Sequence, residues 1–244
     1  MRELRTVGIL GGMGPLAGNY LERLLIDLNF TAKKDQDHVP FVHIAISNLP
    51  SRVSFINGVG PDPVPEMIDG LKRLEKAGAS YCVIPCNTAH ILWNRYFGEV
   101  EKMKMIHLIK ETCDWMGLNL KINKIGLLAT KETIEFGLYQ KYLSKYKIEI
   151  ATPADNDQQI VTDCIFSESV GVKATGGGVR NETVRLLTGV IVRMKEKNDL
   201  KLVIAGCTEI SVVFGESIVE GVQIIDPLHV IARKMLKIAG VSLS

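Results

Sequence analysis

Three strand-like segments of this chain recur in the same order in its second half. Val7-Gly8-Ile9-Leu10 is answered by Ile125-Gly126-Leu127-Leu128, and Tyr81-Cys82-Val83-Ile84-Pro85-Cys86 by Leu202-Val203-Ile204-Ala205-Gly206-Cys207. Met105-Ile106-His107 is answered by Gln223-Ile224-Ile225, so the three spacings all fall between 118 and 121 residues. Apolar strands resemble one another, and a single pairing carries little. Three in order at near-constant spacing indicate a duplicated domain with small loop insertions.

Within each half, β-branched apolar runs alternate with segments of helical period, which is the pattern of βα units around parallel sheets. Strands are predicted near 5–10, 40–47, 80–84, 103–107, 122–128, 147–150, 200–204 and 222–225. Helices are predicted near 15–30, 64–77, 89–97, 109–117, 132–145, 154–168, 180–197 and 227–239. The fold class that follows is α/β: two similar domains, each a mostly parallel sheet flanked by helices, related by an approximate two-fold axis. Residues 1–102 with 210–244 would form the N-terminal domain and 103–209 the C-terminal one. Ligands of open α/β sheets bind beyond the carboxyl ends of the strands, so a cleft between two such domains is the expected site. Cys86 and Cys207 both stand at such ends, and the two-fold arrangement would bring their thiols to a shared ligand from opposite sides.

Composition narrows the function classes. With 29 Lys and Arg against 27 Asp and Glu, the net charge of +2 leaves no footprint for a nucleic-acid backbone. The apolar runs are shorter than the roughly 20 residues of a membrane helix, and Met1-Arg2-Glu3-Leu4-Arg5 leads directly into a strand. A cytoplasmic location is expected, with no membrane partner. Five cysteines, an odd number, argue against a disulfide framework. Cys82 and Cys86 are spaced C-x-x-x-C with no second ligand pair, and Cys86 with His90 is too thin a basis for a metal site.

Two facing thiols suit one chemistry well. Inverting an α-carbon requires a proton to leave one face and another to arrive at the opposite face, and a thiolate base paired with a thiol acid accomplishes both. A thiol near pKa ~8.5 is brought toward neutrality by a helix N-terminus or a cation. Cys86 precedes Asn87-Thr88-Ala89-His90 and Cys207 precedes Thr208-Glu209-Ile210, each where a helix is expected to begin. Asn87, Thr88 and Thr208 add polar groups able to hold a carboxylate. Cys82, Cys113 and Cys164 read as small core hydrophobes.

At these residues the sequence resembles the aspartate/glutamate racemase family, and more closely its aspartate racemase branch. Pro85-Cys86-Asn87-Thr88-Ala89-His90 is similar to that branch's first cysteine motif and Gly206-Cys207-Thr208-Glu209-Ile210 to its second. Gly11-Gly12-Met13-Gly14-Pro15-Leu16 resembles the opening glycine loop, and Ile125-Gly126-Leu127-Leu128-Ala129-Thr130 the start of the second half. The resemblance implies an isomerase that racemises a small acidic amino acid without pyridoxal or any other cofactor, working as a homodimer. It implies Cys86 and Cys207 as the catalytic pair, the first serving the D-enantiomer and the second the L-enantiomer. Met13, Arg52, Asn87, Thr88, Thr130 and Thr208 would hold substrate; Lys173, read from its place in the loop alone, is either an ordinary solvated lysine or a further contact to the distal carboxylate. The chain departs from the family in lacking the Asp-Ser-Gly type loop of glutamate racemases. It has Ser47-Asn48-Leu49-Pro50-Ser51-Arg52 where aspartate racemases commonly have a Pro-Asp-Arg form, and Gly176-Gly177-Gly178 follows Lys173.

Several motifs admit other readings. Gly12-x-Gly14-x-x-Ala17 after the first strand matches a dinucleotide fingerprint, but the acidic residue that should end the second strand is missing, because that strand ends near Ser47-Asn48. Pro15 suits a first helical residue, and the loop reads as a tight turn with open backbone donors for a small carboxylate. Arg52 lies in a long Pro- and Gly-rich connection from Leu49 to Pro65 and could grip a carboxylate bidentately or simply be solvated. His90 would lie one helical turn beyond Cys86, either setting its electrostatics or satisfied by backbone. Asp226-Pro227 reads as a helix cap. The competing functions are glutamate or hydantoin racemisation and maleate isomerisation. Decarboxylation is disfavoured, since the family's decarboxylases keep one cysteine. Outside the family, a nicotinamide-dependent oxidoreductase or a non-catalytic binding protein would use the same sheets.

Overall fold

The computed structural model describes residues 4–174 and 178–243. Gly176 and Gly177 of the glycine cluster after Lys173, and the first three residues, lie outside them. The elements run β1 (Val7–Gly11), α1 (Pro15–Asp27), β2 (Phe41–Ala45), α2 (Arg52–Ile56), α3 (Val64–Lys76), β3 (Tyr81–Val83), α4 (Trp93–Tyr96), β4 (Lys104–Ile106) and α5 (Leu108–Asn119). The second half continues with β5 (Lys124–Leu128), α6 (Lys131–Glu135), α7 (Leu138–Leu143), β6 (Glu149–Ala151), α8 (Asp155–Phe166), α9 (Asn181–Asn198) and β7 (Leu202–Ala205). It ends with α10 (Thr208–Phe214), β8 (Ile218–Val219), β9 (Val222–Ile225) and α11 (Pro227–Ala239). Among the described residues no helix is long and apolar enough to cross a membrane.

The chain forms two compact units, residues 1–111 with 228–244 and residues 112–227. These limits fall inside α5 and at the start of α11, whereas the sequence places them at 102/103 and 209/210. The physical reason is strand pairing: β9 is hydrogen-bonded to β7, which ties 222–225 to the second unit.

Each unit is an α/β sheet with helices packed on it. The first has strand order β2-β1-β3-β4, all parallel, and the second β6-β5-β7-β9-β8, parallel except for its edge. Every residue of β1 is buried, as a central parallel strand covered on both faces requires. Val7, Ile9, Val83 and Ile106 pack with α1 and α11, while Leu10, Cys82 and Ile84 pack with α3 and the segment around Tyr96. In α3, Val64, Met67, Leu71 and Leu74 recur at helical spacing to make the buried stripe. Gly70 of α3 lets the helix lie close to β1, since a Cβ there would stand 2.5 Å from Leu10 Cδ1 and would require that methyl to move.

The correspondence between the two halves extends to hydrogen-bond register. Gly8 pairs with Cys82 in one sheet and Gly126 with Val203 in the other. Cys82 pairs with Met105, and Val203 with Ile224. The third sequence match therefore shifts by one residue: Met105 corresponds to Ile224, not Gln223. Side-chain surroundings repeat too, for a Cβ on Gly8 would meet Ala79 and Cys82, and one on Gly126 would meet Leu200 and Val203.

Four predictions about elements change. The helix predicted near 89–97 is a 3-10 turn over Thr88–Leu92 followed by the single turn of α4. The helix predicted near 132–145 breaks at Gly137, which adopts a left-handed conformation at φ 65° between α6 and α7. The connection after Leu49 contains α2, started by Ser51, whose hydroxyl accepts the Ser54 N–H at 3.2 Å. Strand β8 was too short to be visible; it turns back onto β9 through Glu220 and Gly221, both at positive φ.

Candidate active site

In the first unit the predicted residues Met13, Arg52, Cys86, Asn87 and Thr88 stand beyond the carboxyl ends of β1, β2 and β3. Met13 and Cys86 belong to one apolar cluster and are 2% and 7% exposed. Asn87 and Thr88 are buried beside them in sequence. Arg52 donates from Nη1 to the Pro50 carbonyl at 2.9 Å and from Nη2 to the Met13 carbonyl at 3.3 Å, so it ties the second-strand connection to the glycine loop. Its Nε is buried without a hydrogen-bond acceptor.

Packing accounts for two of the loop's glycines. Gly12 has φ +93° and a Cβ there would lie 2.4 Å from the Ile46 backbone. A Cβ on Gly11 would collide with the His43 ring. His43 in turn contacts Glu22 through Nδ1 at 2.5 Å. These glycines let β1 and the turn after it run close against β2 and Ile46, a reason independent of any pyrophosphate.

In the second unit, Cys207 is the N-cap of α10 and only 6% exposed. Its thiol donates to Glu209 Oε2 at 3.0 Å, and Glu209 Oε1 is held by Lys173 Nζ at 2.5 Å. Burial and the Glu209 charge push the Cys207 thiol well above its ordinary range, while Lys173 opposes them. Burial alone would raise Glu209, but Lys173 and the Cys207 hydrogen bond outweigh it and hold the carboxyl below its ordinary value. The group is thus a thiol, a carboxylate and an ammonium in line. Thr208 is buried alongside and donates to Glu209 Oε2 at 3.4 Å. Thr130, at the end of β5, caps α6 by accepting the Thr133 N–H at 3.3 Å.

Glu209 is the functional candidate that sequence reasoning passed over. It was visible only as a neighbour of Cys207 in a motif. Lys173, which the sequence leaves as a solvated lysine or a contact to a substrate carboxylate, is engaged with Glu209 across 36 residues of sequence. The expectation that both cysteines open helices holds for Cys207 alone; Cys86 leads into the 3-10 turn. The remaining cysteines are buried and unbridged, with burial lifting Cys82 to about 12 and Cys164 to about 11. Among the described residues no three His, Cys, Asp or Glu side chains are grouped as a metal ion would need.

Each of the two α/β units thus sets a buried cysteine with polar neighbours just beyond the carboxyl end of a central strand. Residues 10–235 match the Asp/Glu/Hydantoin racemase family model, and the chain belongs to that family. It is similar to the aspartate racemase of Picrophilus torridus, at 30% identity over 98% of this chain and 96% of that one, with a TM-score of 0.84. An aspartate racemase homologue from Pyrococcus horikoshii shares the fold at 22% identity, covering 97% and 99% of the two chains with a TM-score of 0.71. The broad specificity amino-acid racemase RacX of Bacillus subtilis is 29% identical over 163 residues, which are 65% of this chain and 69% of that protein. The chain is an isomerase of the amino-acid racemase type.

Proposed function

We propose that this chain interconverts the enantiomers of aspartate, or of a close acidic amino acid, without an added cofactor, using Cys86 and Cys207 as its two acid–base groups. The observation that carries this reading is the equivalence of the two cysteines, each just beyond the carboxyl end of a strand with the same neighbours and register in its own sheet. In one direction the Cys86 thiolate removes the α-proton, and the Cys207 thiol delivers its own proton to the opposite face, becoming the thiolate. In the reverse direction the roles exchange. Glu209 accepts the Cys207 proton when that sulfur must act as base, and Lys173 keeps the carboxylate ionised. Thr130, Thr208, Asn87 and Thr88 supply polar contacts to the substrate α-carboxylate, and Arg52 its distal carboxylate. The active form is a homodimer.

A second reading is favoured by one specific observation. The two cations expected at the distal carboxylate are already engaged, Arg52 with backbone carbonyls and Lys173 with Glu209. Together with the similarity to a broad-specificity racemase, this supports a site that also accepts side chains lacking a second carboxylate.

The test is α-proton exchange in deuterated water, without cofactor, on both enantiomers of aspartate, glutamate, several neutral amino acids and hydantoins. Exchange strongest with aspartate supports the first reading, and comparable exchange with neutral amino acids supports the second. No exchange on any of them refutes both. Cys86→Ala and Cys207→Ala should each abolish complete racemisation; full turnover in either would end the two-base mechanism.

A further inference from the structure

The turn that carries Cys86 is held by an imidazole. The Cys86 N–H donates to the Ile84 carbonyl at 2.8 Å, and the Cys86 carbonyl accepts from His90 Nδ1 at 2.8 Å. His90 Nε2 accepts the backbone N–H of Leu108 at 3.1 Å. An imidazole whose Nε2 accepts must carry its proton on Nδ1, so the ring is a neutral, single tautomer. It is 1% exposed and lies between the rings of Trp93, stacked at 5.6 Å, and His107, at 4.6 Å. Since β3 and β4 are hydrogen-bonded neighbours, with Val83 opposite Ile106, this one ring joins the chain leaving β3 to the chain leaving β4.

The second unit provides an internal control. By register His90 corresponds to Ser211 and Leu108 to Pro227. Proline has no N–H, so the donor that His90 Nε2 satisfies in the first unit does not exist in the second. The Cys207 carbonyl accepts instead from the N–H groups of Ile210 at 2.9 Å and Ser211 at 3.3 Å, because α10 begins as a true helix. Both tasks of the imidazole have vanished together where the histidine is missing. That pairing is what a dedicated bridge predicts and what an incidental core histidine does not.

We propose that His90 is a positioning residue for Cys86: its imidazole, bridging the Cys86 carbonyl and the Leu108 amide, fixes the direction in which the Cys86 sulfur is presented for proton transfer. It exchanges no proton itself, since both nitrogens are occupied. The inference rests on the acid–base role proposed for Cys86.

Two conservative replacements separate positioning from mere support. The amide of His90→Asn can reach the position of Nδ1 and keep the Cys86 contact. That of His90→Gln can reach the position of Nε2 and keep only the Leu108 contact. Alkylation of the full-length chain by iodoacetamide, mapped by mass spectrometry, should be about ten-fold faster at Cys86 in His90→Gln and unchanged at Cys207, with His90→Asn near wild type. On whichever amino acid exchanges its α-proton, His90→Gln should lower kcat by about ten- to a hundred-fold with little change in KM. The primary deuterium isotope effect should grow only in the direction in which Cys86 removes the proton. Equal Cys86 alkylation in the two folded variants overturns the proposal. The alkylation arm needs no turnover, so absence of exchange in the wild-type chain sinks the racemase reading while leaving the positioning role to be judged separately.

Discussion

Cys207 and Glu209 are joined by a hydrogen bond from thiol to carboxylate at 3.0 Å, made possible because Cys207 caps α10 and Glu209 sits in its first turn. The carboxylate is 4% exposed and its other oxygen is taken by Lys173. A sulfur in this setting rests protonated, with its proton directed at that carboxylate. The second unit therefore holds a sulfur with a built-in proton partner, while the first holds one fixed through its backbone by His90.

Glu209→Gln removes the charge and keeps the shape. Turnover should fall by about a hundred- to ten-thousand-fold, the usual range for losing an acid–base group. The carboxylate that raises the Cys207 thiol would be gone and Lys173 would remain, so alkylation of Cys207 at neutral pH should accelerate as turnover drops. Loss of turnover with slower Cys207 alkylation would assign Glu209 a different part.

How much of this could be read in advance differs by residue. All the strands but the two-residue β8 were legible because each is a short apolar run between turn signals, and the repeat placed Cys86 and Cys207 at equivalent ends. Glu209 was not, because its orientation depends on where α10 starts, which Cys207 decides by adopting an extended conformation at φ −127° and ψ 134°. Lys173 meets Glu209 through tertiary packing, which spacing does not encode. The segment after Cys86 has helical composition, yet the bridge from His90 to the Cys86 carbonyl accompanies a 3-10 turn in place of an α-helix.

Stability should fall toward acid for identifiable reasons. Burial, reinforced by His107, lowers the His90 ring from an ordinary 6.5 to about 3, against the opposing pull of the Cys86 carbonyl. A group depressed in the folded state stabilises it above the unfolded pKa and ceases to do so as pH falls through the folded one. The His90 contribution is present above 6.5 and is lost down to about 3, at up to about 1.4 kcal/mol per pH unit. Glu209, also depressed, adds to the loss below its ordinary 4.5. Urea unfolding at stepped pH should show this decline, with a shallower slope between 6.5 and 4.5 in His90→Gln; an identical slope would contradict the assignment.

Gly18 offers a stability test with a sign that can be reversed. Alanine in a helix interior normally gains about 0.5–1 kcal/mol over glycine. In α1, however, a Cβ at Gly18 would stand 2.6 Å from the His43 ring. Gly18→Ala should therefore destabilise by about 1–3 kcal/mol in the wild-type background. In a His43→Ala background the obstruction is absent and the same change should stabilise. Thermal unfolding of the four proteins closes the cycle, and additivity would mean that the ring yields without cost.

Arg52 decides between the two substrate readings. Its guanidinium already spans Pro50 and Met13, so Arg52→Lys should loosen the glycine loop and lower turnover of every substrate somewhat. If its buried Nε–H also faces a distal carboxylate, aspartate should suffer an extra loss of about ten- to a hundred-fold, the scale of a charge-assisted hydrogen bond. Comparing kcat/KM for aspartate and for a neutral amino acid in both proteins separates the two contributions. A ratio unchanged by the substitution would leave Arg52 as a brace for the loop and favour a site of broad side-chain tolerance.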